Sequence, residues 1–270
     1  MKTWRYIPFS IHTGAENMAL DEAIMLNMPC ETNPQPVLRF YGWKPATLSL
    51  GYAQSYAKEV VEEECVKAGV DVVRRPTGGR AVLHQYELTY SVVAPEEDDQ
   101  VNGTIIESYL KISQALLKGF QALGISAEMV AHSGVGKESS AACFDAPSWY
   151  ELVVDGMKLV GSAQVRKDGM LLQHGSIPLH FDAELLFRLL KFSKPEVRQR
   201  FLTGFMQKAC ALDEVWLNPV SREELEREIC IGFQEVMKIE FLPSKLKSAE
   251  QVLVPGLVQK YQSSEWTKKR

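Results

Sequence analysis

The fold is decided by the stretch Arg74-Arg75-Pro76-Thr77-Gly78-Gly79-Arg80-Ala81-Val82-Leu83-His84, which is soon followed by Glu87-Leu88-Thr89-Tyr90-Ser91-Val92-Val93. Val70-Asp71-Val72-Val73 precedes it, so β-branched and aromatic residues lie on both sides of the glycine pair. Such residues are enriched in strands. Adjacent glycines allow a sharp turn and a close approach to a ligand, because they carry no Cβ. The stretch therefore predicts a glycine loop between two strands.

This glycine loop has two interpretations. The simpler one is a hairpin turn whose arginines, Arg74, Arg75 and Arg80, are ordinary solvated charges. In the other, the loop binds a ligand, and the arginines either steer acidic carrier proteins or position the loop. The spacing matches neither a Walker loop nor a dinucleotide-binding fingerprint, so neither kind of phosphate cradle is expected.

Composition narrows the class of protein. The chain has 270 residues, 46% of them hydrophobic, with a net charge of −4 and a pI near 5.8. An acidic chain of this kind is not a general nucleic-acid binder, since such proteins carry a basic excess. Apolar runs stay well below the ~20 residues of a membrane span, and the N-terminus lacks a signal-peptide core. We expect a cytoplasmic monomer that binds neither nucleic acid nor membrane.

The cysteines give no sign of a metal site or a disulfide framework. Five of them are scattered along the chain without a Cys-x-x-Cys pair or a Cys/His cluster: Cys30, Cys65, Cys143, Cys210 and Cys230. Cys65 and Cys230 lie in amphipathic helical patterns and are expected to be buried structural thiols. Cys143 instead follows the small and polar run Ser139-Ser140-Ala141-Ala142.

Local patterns predict a mixed set of helices and strands. Helices are predicted at 16–28, at 60–68 with Gly69 as its cap, from Thr104 with a Thr104/Glu107 capping box to Gly124, and through most of the chain after Ala183. Strands are predicted at 37–41, 47–52, 70–73, 149–154 and 157–162, and a further strand follows Asp168-Gly169. The last three should form an antiparallel meander with its first turn at Asp155-Gly156. We expect one domain over 1–245, including a helical C-terminal part, and a C-terminal extension over 246–270.

The glycine stretch closely resembles the signature of the biotin/lipoate protein ligase and octanoyltransferase superfamily. Blocks in the same order as in that superfamily occur at 17–23, 38–43, 46–51 and 155–164, and together they span roughly residues 1–180. The resemblance implies an α/β (α+β) fold, namely a mixed, largely antiparallel sheet flanked by helices. It also implies that the glycine loop and its neighbouring strands line a pocket for an acyl chain.

Two residues are implied as catalytic. The run from Ser139 to Glu151 looks like the block that carries the nucleophilic cysteine in LipM-type octanoyltransferases, with Cys143 in that position. Lys158, in Gly156-Met157-Lys158-Leu159-Val160-Gly161, matches the lysine at the catalytic centre of the superfamily. Without the resemblance, Cys143 is more simply a buried thiol and Lys158 a surface lysine beside a β-turn.

A cysteine and a lysine suit acyl transfer from a thioester to an amine. A free cysteine is only a few per cent thiolate at pH 7, so a nearby ammonium would raise the reactive fraction. A neutral Lys158 could accept the proton of the target amine, provided that burial lowers its pKa.

The resemblance also implies a set of binding residues: Arg75, Gly78, Gly79, Arg80, His84, Ser162 and Ala163. His84 either donates a hydrogen bond to a carbonyl or only contacts a core partner, whereas His174 and His180 are expected to be structural. Apolar residues suited to an eight-carbon chain are Val73, Val82, Leu83 and Val160. No cofactor and no metal are expected.

The functional hypothesis is transfer of octanoate from octanoyl-acyl carrier protein, through a Cys143 thioester, to a lysine of a lipoyl-accepting protein. By resemblance the acceptor is the glycine cleavage H protein or another lipoyl domain. The alternatives are an ATP-dependent lipoate or biotin ligase, an amidotransferase between lipoyl-domain proteins, and a non-catalytic carrier binder. Arg80 replaces the third glycine common in ligase loops, and Gln85 replaces the aspartate that commonly follows the histidine, so the ligase is disfavoured.

Overall fold

The computed structural model describes residues 1–131 and 150–269. Its strands are β1 (Lys2–His12), β2 (Val37–Trp43), β3 (Thr47–Leu50), β4 (Asp71–Arg74), β5 (Val82–His84), β6 (Glu87–Pro95), β7 (Glu128–Ala131), β8 (Tyr150–Val154), β9 (Met157–Lys158), β10 (Gly161–Lys167), β11 (Met170–Pro178) and β12 (Ile239–Pro243). Its helices are α1 (Gly14–Asn27), α2 (Tyr56–Glu59), α3 (Glu62–Ala68), α4 (Ile105–Ala122), α5 (Ala183–Leu189), α6 (Pro195–Lys208), α7 (Leu212–Val215), α8 (Arg222–Met237), α9 (Ser248–Gln262) and α10 (Ser264–Thr267), with a short 3-10 helix at Met28–Cys30.

A six-stranded sheet forms the centre of the molecule, in the order β10-β11-β6-β2-β1-β12. Its pairings from β10 to β2 are antiparallel, and β1 runs parallel to both β2 and β12. One face packs on α4 and α8 around large apolar side chains such as Trp4, Phe40 and Phe233. Helix α1 lies on the other face, so the expected mixed, largely antiparallel sheet with flanking helices is confirmed.

Two three-stranded sheets accompany it within the described residues, with the orders β4-β3-β5 and β7-β8-β9. In the first, β3 pairs in parallel with β4 and antiparallel with β5. The strands on either side of the glycine stretch are therefore both neighbours of β3 and do not pair with each other. The hairpin interpretation of Gly78-Gly79 is wrong, because β3 occupies the position between the two strands.

The predicted meander is also wrong in one respect. The turn at Asp155-Gly156 joins β8 and β9 as expected, and the turn at Asp168-Gly169 joins β10 and β11. The single strand predicted at 157–162 is divided, however, because β9 belongs to a small sheet and β10 to the edge of the large one. Leu159 and Val160, which are both buried, make the step between the two sheets.

The helix signals agree well with the structure. Thr104 and Glu107 form the predicted capping box of α4, and Gly69 ends α3 in the left-handed conformation. Helix α1 begins two residues earlier than predicted, because Thr13 and Glu16 form a second capping box. In the part of the chain that is described, no helix combines the length and apolar character needed to cross a bilayer.

Candidate active site

A pocket lies between the α1 face of the large sheet and the β4-β3-β5 sheet. Strand register places Gly161, Ser176, Thr89 and Tyr41 in one row across β10, β11, β6 and β2, and all four line the pocket. A second row, two residues along each strand, adds Ala163 and His174 on the same face. The pocket therefore runs across four strands, and the empty space of the pocket together with its solvent-filled opening is about 350 Å³.

Burial distinguishes the open end of the pocket from its closed end. Ala163 on β10 is half-buried and lies next to the exposed Gly79 of the glycine loop, so the mouth is here. At the other end, Met18 of α1 is 1% exposed and Tyr41 of β2 is fully buried. Ser162 borders the mouth through its backbone, since its hydroxyl is hydrogen-bonded to Tyr90 Oη (2.8 Å) on the opposite face of the sheet.

The wall opposite the large sheet is built around His84. Its Nδ1 lies 2.9 Å from Glu87 Oε1 and its Nε2 lies 2.8 Å from Ser49 Oγ, while its ring stacks on Trp43 at 4.0 Å. Burial lowers the pKa of His84 and outweighs the opposing effect of Glu87. A neutral ring donates from Nδ1 to the carboxylate and accepts the Ser49 hydroxyl proton at Nε2. Both ring nitrogens are thus occupied within the protein.

The large-sheet wall is held by a buried carboxylate, Asp21 of α1. Arg39 Nη1 and Ser91 Oγ each donate to Asp21 Oδ1 at 2.8 Å, and Tyr41 Oη donates to Oδ2 at 2.9 Å. Burial opposes ionisation most strongly, but the Arg39 guanidinium, His174 and the Ser91 hydroxyl together outweigh it, and the pKa of Asp21 is held below its usual value. The network fixes α1 on the sheet and keeps the pocket floor in place.

His174 connects this network to the glycine loop. Its Nε2 lies 2.6 Å from Thr77 Oγ1, and its Nδ1 faces Asp21 Oδ2 at 3.8 Å. Burial lowers the pKa of His174, as it does that of His84. The sequence interpretation of His174 as structural fits these contacts, yet its ring also lines the pocket. Its spacing in the sequence held no signal of that position.

Many polar groups on the two walls are therefore satisfied by other protein groups. Besides those above, Trp43 Nε1 donates to Thr89 Oγ1 (2.9 Å), and Arg75 Nη1 donates to the backbone and side-chain oxygens of Ser49 (3.0 and 2.9 Å). A polar group already bonded to the protein offers little to a polar ligand, and its carbon surface remains. The pocket consequently suits an apolar chain.

Two arginines of the glycine stretch, Arg74 and Arg75, hold the surrounding backbone in place. Arg74 is fully buried and donates to five backbone carbonyls, which belong to Gly51, Tyr52, Gln54, Trp266 and Thr267. Arg75 is 4% exposed and donates to the carbonyls of Gly78 and Arg80. Steering of acidic carriers does not fit two such buried side chains, so these arginines position the loop. Arg80 itself is half-buried.

The two loop glycines differ in what they require. Gly79 has φ = +90°, in the left-handed region that favours glycine, and its carbonyl packs against Gly51. Gly78 lies outside that region, and a Cβ placed there would meet no atom within 4 Å. Within this pair, the left-handed conformation thus occurs at the second glycine alone.

Lys158 is buried rather than exposed beside the turn. It is 4% exposed, and its Nζ donates to Glu151 Oε1 at 2.8 Å across the β8–β9 hairpin. Its backbone is fixed as well, because Lys158 pairs with Ala209 at the end of α6 and its carbonyl accepts from the N–H of Cys210. The surface-lysine interpretation is therefore wrong.

Lys158 stands close to the pocket along the chain. Gly161, the first pocket residue of β10, follows it by three residues, which span at most about 11 Å. Cys143 lies outside the described residues. Among the other cysteines, burial raises the pKa of Cys65 to about 11 and those of Cys210 and Cys230 to about 12, so these thiols are poor nucleophiles.

The prediction of which apolar residues line the pocket is only partly confirmed. Val82 lines it, whereas Val73 packs under α1, Leu83 faces a separate surface cavity, and Val160 belongs to the core beneath the large sheet. Met18 was missed, because it lies in a helix 60 residues or so before the glycine stretch. No group of three or more His, Cys, Asp or Glu side chains within 1–131 and 150–269 is arranged to hold a metal.

Comparison with known proteins agrees with this architecture. The model of the lipoyl protein ligase A/B catalytic domain matches residues 13–234. The chain is 47% identical over 267 residues to a protein named octanoyltransferase LipM from Carboxydothermus hydrogenoformans, covering 98% of each. It is 45% identical to the octanoyltransferase LipM of Bacillus subtilis, over 100% of this chain and 99% of the relative.

Solved structures give the same fold. A bipartite lipoate protein ligase from Thermoplasma acidophilum superposes with a TM-score of 0.81 at 25% identity, over 99% of this chain and 97% of that one. A lipoate-protein ligase A bound with ATP superposes with a TM-score of 0.80 at 24% identity, over 99% of both chains, which speaks for the fold alone. The chain belongs to the lipoyl protein ligase A/B catalytic-domain family and, within it, to the LipM-type octanoyltransferases.

Proposed function

We propose that this enzyme transfers octanoate from octanoyl-acyl carrier protein, through a thioester on Cys143, to a lysine of a lipoyl-accepting protein, with the glycine cleavage H protein as the acceptor. The observation that carries the proposal is the pocket whose polar wall groups are internally bonded, together with the buried Lys158–Glu151 pair three residues from its mouth strand. This pairing of an acyl slot with an amine-handling group suits transfer of a fatty acyl chain to an amine.

The pocket accounts for recognition of the acyl chain. An octanoyl group buries six or seven methylenes, each worth about 0.8 kcal/mol, or on the order of 5 kcal/mol in total. The chain enters beside Ala163 with its carbonyl outermost, because the mouth is the only end of this pocket where a lining side chain is half-buried.

The first step exchanges one thioester for another. The Cys143 thiolate attacks the carbonyl carbon of the carrier thioester, a new C–S bond forms, and the carrier thiolate leaves and takes up a proton. The two thioesters are nearly equal in energy, so no ATP is consumed. Octanoate then remains bound to the enzyme while the carrier departs.

The second step forms an amide. The acceptor lysine is protonated at pH 7, and removing its proton costs about 3.4 pK units, or roughly 4–5 kcal/mol. In its neutral form, Lys158, whose Nζ lies 2.8 Å from Glu151 Oε1, takes the proton from the acceptor ammonium. The neutral amine attacks the carbonyl carbon, the C–S bond breaks, and Cys143 leaves as a thiol with the second amine proton.

The proposal is tested by intact-protein mass spectrometry after mixing the protein with octanoyl-acyl carrier protein and no ATP. We expect one octanoyl adduct that hydroxylamine removes, and Cys143→Ala should form none. Cys30→Ala is the matched control, because Cys30 is exposed and would report nonspecific acylation of a surface thiol. An adduct that persists in Cys143→Ala, or an enzyme that acts only with ATP and free octanoate, would overturn the thioester mechanism.

The acceptor is tested with the isolated octanoyl-enzyme. Apo H protein and an apo E2 lipoyl domain are offered separately, and loss of the enzyme adduct is followed together with gain of mass on each acceptor. Faster transfer to H protein is expected. Faster transfer to the E2 domain would contradict the acceptor assignment while leaving the thioester step intact.

A further inference from the structure

We infer that Met18 closes the pocket and sets the length of acyl chain that the enzyme accepts. This inference rests on the proposed function and deepens it, because it concerns the substrate of the same site. Met18 lies on α1, lines the pocket, and is 1% exposed. Its neighbours in the core are Tyr41, Trp43 and Val73, so it stands at the end of the pocket opposite the half-buried Ala163.

The length of the pocket follows from the strand order. The rows that line it cross β10, β11, β6 and β2, which are three inter-strand steps of about 4.8 Å, or roughly 14 Å between the outer backbones. An extended chain advances about 3.5 Å for every three bonds, so the seven bonds of an octanoyl group reach about 8 Å. A chain with its carbonyl over β10 therefore ends near β6.

Beyond β6, the remaining space is filled by side chains of β2 and α1. Tyr41 occupies the β2 position of the row, and its hydroxyl is tied to Asp21, so it is held in place. Trp43 is likewise held, by its hydrogen bond to Thr89. Met18 has an unbranched side chain without hydrogen-bonding constraints, and thioether chains adapt readily to neighbouring shapes. Met18 is thus the wall residue whose shortening opens the pocket without breaking a polar network.

Shortening Met18 should shift the chain-length preference upward. Met18→Ala removes the Cγ, Sδ and Cε atoms, which leaves room for two further methylenes. At about 0.8 kcal/mol for each methylene buried, the decanoyl chain gains about 15-fold relative to octanoyl. Met18→Leu shortens the reach by one atom, keeps most of the volume, and should give a rise of about fourfold.

The experiment measures the rate of acyl-enzyme formation from hexanoyl-, octanoyl-, decanoyl- and dodecanoyl-acyl carrier protein for each variant. The readout is the ratio of kcat/KM for decanoyl to that for octanoyl, which cancels losses common to both substrates. Met25→Ala is the matched control. Met25 lies on the same helix and is 7% exposed, but it packs with Ile24 and Met28 in a different cluster.

A ratio that rises about 15-fold in Met18→Ala and stays unchanged in Met25→Ala supports the inference. Should Met18→Ala fail to fold, the fourfold rise in Met18→Leu decides the question. An unchanged ratio in a folded Met18 variant, with octanoyl transfer intact in the native enzyme, would overturn this inference alone. A native enzyme that takes no acyl chain from any carrier would overturn the proposed function, and this inference with it.

Discussion

The close contact between Gly51 and the glycine loop gives the sharpest stability prediction. A Cβ on Gly51 would lie 2.0 Å from the carbonyl oxygen of Gly79, whereas ordinary contacts begin at 3.4 Å. Gly51→Ala therefore requires a displacement of about 3.4 − 2.0 = 1.4 Å between two backbone segments. No side-chain rotation can relieve this contact, because the atom that the Cβ meets belongs to the backbone. Arg74 bonds the Gly51 carbonyl and Arg75 bonds the Gly78 carbonyl, so both backbone segments are also held in place.

Overpacking of this kind costs about 1–3 kcal/mol, and contact between backbone atoms puts Gly51→Ala at the upper end. For a chain of this size, about 3 kcal/mol lowers Tm by roughly 6–12 °C. The assay is urea denaturation together with thermal unfolding. Acyl-enzyme formation should fall in parallel at a temperature where the variant is folded, since the displaced loop borders the mouth of the pocket.

Gly78→Ala is the matched control for this prediction. The glycine is in the same loop, but an added Cβ meets nothing within 4 Å. We expect its free energy of unfolding to stay within about 0.5 kcal/mol of the native value, as for ordinary surface changes. If Gly51→Ala unfolds at the native midpoint and forms the acyl-enzyme at the native rate, the inferred contact between Gly51 and Gly79 is wrong.

Three further predictions concern buried polar groups. Burial lowers the pKa values of His84 and His174, so below pH 6.5 the unfolded chain binds protons that the folded chain does not. The free energy of unfolding should therefore be highest above pH 6.5 and fall below it. A urea midpoint that is flat from pH 7.5 to 5.5 would contradict this. Glu151→Gln should cost about 3 kcal/mol, because losing one partner of a buried ion pair is worse than replacing both partners by apolar residues. The double variant Glu151→Leu/Lys158→Met should therefore unfold at higher urea than the single one, and equal or lower midpoints in the double variant would count against this. In Arg74→Lys, the shorter set of donors cannot bond all five carbonyls, which include that of Thr267 near the C-terminus. Limited proteolysis should therefore release the C-terminal segment faster than from the native protein. Unchanged cleavage would contradict the role of Arg74 in holding this segment.

Local sequence signals predicted much of the secondary structure. The Thr104/Glu107 capping box, the αL cap at Gly69 and the turn at Asp155-Gly156 depend on neighbouring residues alone, and all three are confirmed. Capping and tight turns satisfy backbone groups within a few residues, so the sequence carries the whole requirement. The same kind of signal, a capping box of Thr13 and Glu16, marks the start of α1.

Local signals could not predict which sheet each strand joins, or where the pocket lies. Strand β12 pairs in parallel with β1, although Ile239 and Lys2 are 237 residues apart. His84 is hydrogen-bonded to Ser49 in another strand, and His174 is hydrogen-bonded to Thr77 at a separation of 97 residues. A period of two residues predicts a strand but not which sheet it joins. The partners of these histidines are set by strand order, which no local pattern contains.

The division of the predicted strand 157–162 bears directly on the chemistry. A single straight strand would place Lys158 on the large sheet that lines the pocket, as one more wall residue. Instead, Lys158 pairs within the small sheet beside Glu151, and the chain crosses through buried Leu159 and Val160 to β10. Burial of both linking residues makes the step rigid. The backbone of Lys158, the proposed proton acceptor, is thus held within about 11 Å of Gly161, the first pocket residue of β10, and Lys158 does not line the apolar slot.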